Sequence, residues 1–262
     1  MGSAITLLCM DIVFVLMSAG LAGFVDAVVG GGGLILVPAL FSAYPQAPAA
    51  TLLGNNKSVS LWGTLFASWN YARKIDLPWK KLLLAALFAG AFSFLGAWVL
   101  GQVPSSGLKK ALPFVLTLIL IYTLVSRQMG SDHNPRFEGS KERHVLLVVA
   151  ACMGFYDGFF GPGTGSFYIF IFVRLMRYDF LHASSAAKIL NSASNAAALF
   201  LFTLQGQIWW HLAIPMAIMN ILGSGVGTRL AIQKGSGFVR WMFVFVVTSL
   251  ILKTTFDAYL AN

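Results

Sequence analysis

Charged residues are scarce in this chain. Aspartate, glutamate, lysine and arginine make up 10% of its 262 residues, whereas hydrophobic residues make up 58% and the mean hydropathy is +0.78. Soluble domains carry about 25% charged residues, so the composition excludes a soluble fold. Residues 82–100 and 108–126 are largely apolar runs of the ~20 residues that cross a bilayer core of ~30 Å. The sequence therefore predicts an all-α polytopic membrane protein.

Cysteine is almost absent. The two cysteines, Cys9 and Cys152, stand in apolar segments and lack the spacing of metal ligands. We interpret both as small packing residues and expect neither a metal nor a cofactor. The sequence has no basic stretch with interleaved aromatic residues, so we expect no nucleic-acid partner. The net charge of +9 has a simpler origin, because lysine and arginine collect in the cytoplasmic loops of membrane proteins.

Long polar segments are also lacking, with one exception. Residues 127–144 contain seven charged residues and form the longest polar stretch of the chain. This segment divides the sequence into a first transmembrane half, residues 1–126, and a second transmembrane half, residues 145–262. We expect the segment between them to be a cytoplasmic linker.

The two halves repeat each other at a constant offset of 131 residues, and the register needs no gap. Such internal symmetry is typical of transporters built from two structural repeats. The paired positions are Gly23 and Gly154, Asp26 and Asp157, Gly30 and Gly161, Gly32 and Gly163, Lys57 and Lys188, Trp79 and Trp210, Ser93 and Ser224, and Gly96 and Gly227.

The most unusual repeated segment joins a carboxylate to a run of glycines. Asp26 is followed by Gly30–Gly33, and Asp157 is followed by the glycine-rich stretch Gly161–Gly165, both inside otherwise apolar sequence. A carboxylate at the bilayer centre costs about 2.5–3.5 kcal/mol, so two repeat-related copies indicate a functional site. Glycine tolerates the dihedral angles of a helix break and lets other groups approach the backbone.

A helix that begins inside the membrane offers a site for an anion. Its first N–H groups lack partners within the helix, and its dipole presents positive charge there. We predict that each half begins with such a broken helix; the alternative is that the glycines only allow tight helix packing. The predicted anion-binding residues at the breaks are Gly31, Gly32, Gly33, Gly163, Thr164, Gly165 and Ser166.

Basic residues in the loops predict that the two halves have opposite orientations. Loop 73–81 carries four basic residues and its repeat partner 204–210 carries none. Loop 42–52 has no basic residue, whereas its partner after Val173 has two. Equivalent loops with opposite charge bias belong on opposite membrane faces, so the repeat is predicted to be inverted.

An inverted repeat requires an odd number of crossings in each half. Each half is therefore predicted to be a discontinuous helical hairpin followed by three transmembrane helices, with both chain termini outside. Lys109 and Lys110 fall on the outer face in this arrangement and count against it. The predicted spans are 50–72, 82–101 and 109–126 in the first half, and 183–204, 211–230 and 239–256 in the second.

Lys57 and Lys188 are repeat-related lysines flanked by small and polar residues. A single lysine near a helix end usually extends to the lipid headgroups. For a repeated pair flanked by asparagines, an inward orientation is an equal alternative. Inward-facing lysines can neutralise an anion or pair with the aspartates. The asparagines assigned to the substrate site with them are Asn55, Asn56, Asn191 and Asn195.

Asp26 and Asp157 admit two roles, which we group as coupling or gating. As partners of the lysines they would be structural, because a buried ion that loses its partner is strongly destabilising. As free carboxylates they could carry protons and couple transport to a proton gradient. The sequence leaves both roles open.

Several of these motifs resemble one family. Gly23–Asp26 with Gly30–Gly33, Asn56-Lys57, Gly154–Phe167 and Ala187–Asn191 are similar to the TauE/SafE sulfite exporter (TSUP) family, in its YfcA-like branch. The resemblance spans nearly the whole chain and both halves. It implies a bacterial inner-membrane permease associated with small sulfur-containing anions, such as sulfite and organosulfonates.

The sequence thus predicts a multi-pass inner-membrane transporter of a small anion. The transporter is expected to work by alternating access, with a midplane site between the repeats. Its expected partners are the anion and the lipid bilayer, and no oligomeric state is predicted. A passive anion channel needs the same lining. An intramembrane aspartyl protease is a second alternative, with two aspartates that share a proton. In such proteases the second aspartate directly follows its glycine motif, whereas Asp26 and Asp157 precede theirs, so we expect no enzyme.

Overall fold

A computed structural model describes residues 2–104, 135–137 and 139–259. Within these ranges every regular element is an α-helix. The first half contributes α1 (Gly2–Val29), α2 (Gly32–Ala43), α3 (Ala49–Ala72) and α4 (Trp79–Gly101). The second half contributes α5 (Gly139–Phe159), α6 (Thr164–Arg174), α7 (Phe180–Leu204) and α8 (Trp210–Tyr259).

Three of the described helical segments are long and apolar enough to cross a membrane: Met10–Val29, Trp79–Gly101 and Trp210–Gly235. α3 and α7 are of similar length, about 36 Å, but they carry lysine, asparagine and serine side chains that lower their hydropathy. Most of those polar side chains are buried inside the bundle. The predicted all-α membrane fold is therefore confirmed.

The predicted helix boundaries agree with the described helices. Spans 50–72, 82–101 and 183–204 correspond to α3, α4 and α7. The last two predicted spans correspond to α8, which bends at Gly235, where φ is 73°. The predicted span 109–126, with Lys109 and Lys110, and linker residues 127–134 lie outside the described residues. The division into two halves and a linker therefore stays a prediction.

Both halves begin with a helix that breaks and folds back. The break between α1 and α2 holds Gly30 at a left-handed φ of 78°. Beyond it, Leu36 and Leu40 of α2 join Val15 and Ala19 of α1 in one buried apolar cluster. α2 therefore returns along α1, and the two helices form a hairpin.

The second hairpin has the same construction. Gly161 and Gly163, between α5 and α6, have left-handed φ values of 93° and 82°. On the far side of the break, the Tyr168 hydroxyl of α6 donates a hydrogen bond to the Ala150 carbonyl of α5 at 3.4 Å. α6 thus folds back over α5.

Helices of the two halves interlock rather than lie side by side. α1 packs chiefly against α8, and α4 packs chiefly against α5. The Ser93 hydroxyl of α4 donates to the Ser194 carbonyl of α7 at 2.7 Å, and the Ser224 hydroxyl of α8 donates to the Gly63 carbonyl of α3 at 2.7 Å. These two hydrogen bonds join repeat-equivalent positions, so the offset of 131 residues appears in the packing.

The equivalent helices α3 and α7 run in opposite directions where they pack together. Ser68 and Ser192 have their hydroxyl oxygens 3.0 Å apart. Farther towards the start of α3, Gly54 lies against the ring of Phe202, near the end of α7. Increasing residue numbers on α3 thus meet decreasing numbers on α7, which makes the pair antiparallel.

Exposed and half-exposed basic side chains gather at one end of the described helices, which we call the basic end. It contains the α3–α4 connection, the start of α5 and the α6–α7 connection, which meet where Lys81 pairs with Glu142 and Tyr178 donates to Glu142. At the opposite end the described part of the α2–α3 and α7–α8 connections has no lysine or arginine. The basic-end residues are Arg73, Lys74, Lys80, Lys81, Arg136, Lys141, Arg143, Arg174, Arg177, Arg229 and Lys234.

One smaller expectation is wrong. The sequence predicts Cys152 to be a packing residue, but it is exposed on the outer surface of α5. An apolar thiol on a helix face towards lipid needs no packing partner, so the apolar surroundings in the sequence did not imply burial. The side chain of Cys9 lies outside the described part.

Candidate functional site

The two helix breaks meet in the interior of the bundle. The Ser166 backbone N–H donates to the Gly30 carbonyl at 3.0 Å, and the Ser166 hydroxyl donates to the Val29 carbonyl at 3.0 Å. The backbones of Gly30 and Gly165 lie directly against each other, and a Cβ on either residue would overlap the other. Close packing therefore accounts for glycine at these two positions. Gly165 and Ser166, both predicted site residues, join the two tips.

Each buried lysine forms an ion pair with an aspartate of the opposite half. Lys57 Nζ lies 2.5 Å from Asp157 Oδ1, and Lys188 Nζ lies 3.1 Å from Asp26 Oδ2. The four charges balance, as burial of ionised groups requires. The aspartates are thus paired with the lysines, and the pairs cross between the halves rather than forming within them.

The lysines do not extend to lipid headgroups. Lys57 is 2% exposed and Lys188 is fully buried. Each stands eight residues into its helix, about 12 Å from the helix start. Because a headgroup-directed lysine keeps its ammonium group at the surface, that alternative is excluded for both residues.

Each aspartate has a second contact besides its lysine. The Ser194 hydroxyl donates to Asp157 Oδ2 at 2.6 Å. The Gly32 backbone N–H, at the start of α2, donates to Asp26 Oδ1 at 3.4 Å. Negative charge is favoured at a helix N-terminus, so the carboxylate of Asp26 occupies the position that the sequence assigned to an anion.

The remaining predicted residues at the breaks line the same region. Gly31 is the buried residue that precedes α2, and Gly163 precedes α6. Gly33 lies close to Pro162 of the opposite break. The Thr164 hydroxyl donates to the Gly161 carbonyl at 2.7 Å, so it stabilises the turn.

Asn55 lies at the contact between α3 and the start of α8, not at the helix breaks. Its side-chain amide donates to the Thr51 carbonyl at 2.8 Å, and its Oδ1 accepts from the Trp209 backbone N–H at 3.2 Å. These bonds fix the start of α8 against α3. The structure therefore does not place the Asn55 amide with the lysines at the breaks.

Asn56 and Asn191 differ from the other buried polar residues described. Both side chains are at least 95% buried, and the Oδ1 atom of each has no hydrogen-bond partner. Asn56 lies beside Gly33 of the first break, and Asn191 follows Lys188 by one helical turn. Asn195 is buried one turn farther along α7. An unpaired buried acceptor is costly, so these amides mark positions where a polar ligand or water is favoured.

Sequence reasoning missed several residues that hold the breaks. Tyr156 directly precedes Asp157 in the glycine motif, and this place in the sequence could have indicated a role at the break. Ser194 gave no signal from the repeat, because its equivalent is Gly63, which has no side chain. The contacts are Tyr156 hydroxyl to Pro162 carbonyl (2.6 Å), Tyr71 hydroxyl to Ala27 carbonyl (2.9 Å), Ser184 hydroxyl to Val28 carbonyl (2.9 Å) and Ser194 hydroxyl to Asp157 (2.6 Å).

The described residues contain no group of three or more histidine, cysteine, aspartate or glutamate side chains placed to hold a metal ion. The chemistry of the breaks is therefore that of two ammonium groups, two carboxylates, unpaired amides and backbone N–H groups.

Comparison with known proteins identifies the family. The model of the family described as Sulfite exporter TauE/SafE matches residues 15–254. The chain belongs to this family. It is thus a multi-pass membrane transporter and not an enzyme.

Curated relatives cover the chain almost completely. "Probable membrane transporter protein YfcA" of Escherichia coli (strain K12) is 36% identical over 244 residues, which are 92% of this chain and 88% of that protein. "Probable membrane transporter protein ORF9" of Sinorhizobium sp is 36% identical over 245 residues, 93% and 92% of the two chains. A "Probable membrane transporter protein" of Haemophilus influenzae is 34% identical over 252 residues, 94% and 96%. No solved structure matches the chain.

Proposed function

We propose that this TauE/SafE transporter carries a small anion, a sulfur oxyanion or an organosulfonate, through a site where the two helix breaks meet. The observation that carries the proposal is the burial of Lys57 and Lys188 at those breaks. Two ammonium groups in a membrane interior are costly unless they serve an ion pathway or a paired network. The sulfite named in the family description supports the substrate class.

The proposed site combines the lysines with amides and with the backbone N–H groups at the start of α2. At the start of α6, the Ser166 and Thr164 N–H groups are bonded to the Gly30 and Gly161 carbonyls, so those residues border the site without donating these groups to it. Helix starts and lysines both favour anions. The Asn55 amide is fixed elsewhere, so we leave it out of the site. The residues are Gly31, Gly32, Gly33, Asn56, Lys57, Gly163, Thr164, Gly165, Ser166, Lys188, Asn191 and Asn195.

Charge balance sets a condition for transport. The lysines are already neutralised by Asp26 and Asp157, so an arriving anion adds a net negative charge to a buried cluster. The anion must therefore compete with a carboxylate for its lysine, and the displaced carboxylate must move away or take up a proton. This competition gives the aspartates a coupling or gating role.

Alternating access between two inverted repeats fits this arrangement. α3 and α7 occupy equivalent positions and run antiparallel. A two-fold axis that relates antiparallel transmembrane helices lies in the membrane plane, as in transporters with inverted repeats. The ion pairs cross between the halves, so a rocking movement of one half against the other would open at least one of them.

Flux in proteoliposomes tests the proposal. We expect purified protein to move at least one of sulfite, sulfate, thiosulfate and sulfoacetate faster than empty liposomes do, with saturation at high concentration. Acetate serves as a carboxylate control, and each anion is compared with and without a pH gradient. If no sulfur anion moves above the background of empty liposomes, the proposed function is wrong.

The same assay separates the two alternatives. A passive channel would show flux that does not saturate and does not respond to a pH gradient or to a counter-substrate. An aspartyl protease would cleave a membrane-embedded peptide. Its two aspartates would share a proton, whereas Asp26 and Asp157 each face a different lysine.

A further inference from the structure

The two repeat-related ion pairs are not equivalent. Lys57 and Asp157 are 2.5 Å apart, whereas Lys188 and Asp26 are 3.1 Å apart. The side chain of Asp157 is 2% exposed, whereas that of Asp26 is 13% exposed. The Lys188–Asp26 pair is thus the longer of the two, and its aspartate side chain is the more exposed one.

Two close neighbours restrain the Lys57–Asp157 pair. The Ser194 hydroxyl holds the second oxygen of Asp157 at 2.6 Å. Gly161 covers the ammonium group of Lys57 so closely that a Cβ there would be 2.6 Å from Nζ. Every part of this pair is therefore fixed by a neighbour.

The Lys188–Asp26 pair lacks both restraints. Its carboxylate has a backbone donor, Gly32, at the long distance of 3.4 Å. The equivalent of Gly161 is Gly30, which packs against Gly165 and Ser166 rather than against the lysine. The equivalent of Ser194 is Gly63, which has no hydroxyl. One sequence difference, glycine in place of serine, and one packing difference, at Gly30, thus accompany the looser pair.

Of the two amides whose Oδ1 atom has no partner, Asn191 lies on the helix of the looser pair and Asn56 lies between the two breaks, where Gly33 approaches Pro162. Asn191 stands one helical turn after Lys188, and residues three apart on a helix share a face. Asn56 adjoins Lys57 in sequence, yet it lies beside Gly33, immediately after the glycine that binds Asp26. A half-turn of either amide group about its last side-chain bond would present N–H donors instead of oxygen.

We infer that Lys188 and Asp26 form the pair that opens to bind the transported oxyanion, with Asn56 and Asn191 as its further ligands, while Lys57 and Asp157 form a permanent brace between the halves. This inference rests on the transport function proposed above. An oxyanion would take the place of the Asp26 carboxylate on Lys188, and the helix start at Gly32 would stabilise its charge. The ligand class is a small tetrahedral or pyramidal oxyanion.

Matched variants of the two aspartates and of their neighbours test the inference. Asp26→Asn, Lys188→Gln and Asn191→Ala are compared with Asp157→Asn and Ser194→Ala in proteoliposomes that take up radiolabelled sulfite. We expect Asp26→Asn to lower the KM for sulfite, because it removes the competing carboxylate. Lys188→Gln should raise the KM by about tenfold or more, and Asn191→Ala should raise it by a smaller factor.

The variants of the Lys57–Asp157 pair and its neighbour should change thermal stability rather than the KM. We expect Asp157→Asn and Ser194→Ala to lower the melting temperature in detergent, and Ser194→Ala to leave the KM for sulfite at the wild-type value. If Asp157→Asn yields no folded protein, Ser194→Ala alone provides the comparison with Asp26→Asn. Asp26→Asn should lower the melting temperature less than Asp157→Asn does.

The outcomes separate the two proposals. If wild-type protein takes up sulfite but Ser194→Ala shifts the KM as much as Asp26→Asn does, the division of roles is wrong while the transport function stands. A larger loss of melting temperature in Asp26→Asn than in Asp157→Asn would also overturn the division. If wild-type protein moves no sulfur anion, the proposed function fails and this inference fails with it.

Discussion

Lys57 and Asp157 stand 100 residues apart in the chain, yet their charged atoms are 2.5 Å apart and both side chains are 2% exposed. One residue lies on α3 of the first half and the other at the end of α5 in the second half. An ion pair in this position joins the two halves inside the bundle. It also explains why an intramembrane lysine and an intramembrane aspartate occur together in both repeats.

Removing one member of this pair is predicted to be far more damaging than removing both. Lys57→Met leaves Asp157 buried without a partner, which should cost about 3–5 kcal/mol of stability. The double variant Lys57→Met with Asp157→Leu leaves no buried charge and should recover most of that loss. Melting temperature and the monodisperse fraction in detergent measure both effects.

An exposed lysine provides the matched control for this comparison. Lys74, at the basic end, is exposed, and Lys74→Met should change the melting temperature little. If the double variant is no more stable than Lys57→Met alone, then charge pairing is not what makes the single variant unstable.

The charged centre could be predicted in part from the sequence. The offset of 131 residues identified both lysines and both aspartates, and the glycines identified the breaks at which they meet. The partner of each lysine could not be read from the repeat, because an ion pair within each half and a pair across the halves preserve the same internal symmetry. The crossed arrangement is seen in the structure, where Lys57 pairs with Asp157 and Lys188 pairs with Asp26.

The differences between the two ion pairs could not be predicted from the internal repeat. Ser194 and Gly63 are equivalent positions, but glycine has no side chain, so the repeat gives no indication of the hydroxyl donor to Asp157. Asn55 illustrates a different point. Its place two residues before Lys57 suggested a ligand, but a rotation of about 200° over two helical residues directs the two side chains to different surfaces, and its amide binds Thr51 and Trp209.

Substitution of Gly30 is predicted to separate the two helix breaks. Gly30→Ala places a methyl group against the backbone of Gly165 and also forces alanine into a left-handed φ of 78°. Gly206→Ala is the control, since Gly206 has a similar φ of 67° but no atom within 4 Å of its Cβ position. The control should lose about 1–2 kcal/mol from backbone strain alone.

Gly30→Ala should therefore lower the melting temperature more than Gly206→Ala and abolish uptake of the transported anion. Thermal unfolding in detergent and proteoliposome uptake are measured on both variants. Equal losses of stability in the two variants would show that the close approach of the breaks contributes nothing beyond backbone strain.

Glu142 is predicted to stabilise the basic end of the bundle. It is 7% exposed, pairs with Lys81 of α4, and accepts a hydrogen bond from the Tyr178 hydroxyl at 2.7 Å. Burial and this hydrogen bond raise the pKa of Tyr178 above its ordinary value of 10.0, so the phenol remains a donor at neutral pH. Three separate segments thus meet at one carboxylate.

Glu142→Ala should cost about 1.5–3 kcal/mol, the usual contribution of hydrogen bonds to a charged group. Tyr178→Phe should cost less, because Lys81 still neutralises the carboxylate. Lys141→Ala, at the exposed neighbouring position, is the control and should leave the melting temperature nearly unchanged. A Glu142→Ala protein as stable as the control would contradict a structural role for this contact.

Gln46 and Arg177 are predicted to lie on opposite sides of the membrane, although they occupy equivalent positions in the repeat. Both are exposed, and Arg177 belongs to the basic end whereas Gln46 lies in the α2–α3 connection at the other end. Basic loops face the cytoplasm. In a chain whose Cys9 and Cys152 are replaced by alanine, a membrane-impermeant maleimide should label Gln46→Cys in intact cells and Arg177→Cys only after permeabilisation. Labelling of both cysteines from the same side would show that the repeats are parallel, and labelling of Arg177→Cys alone in intact cells would reverse the orientation.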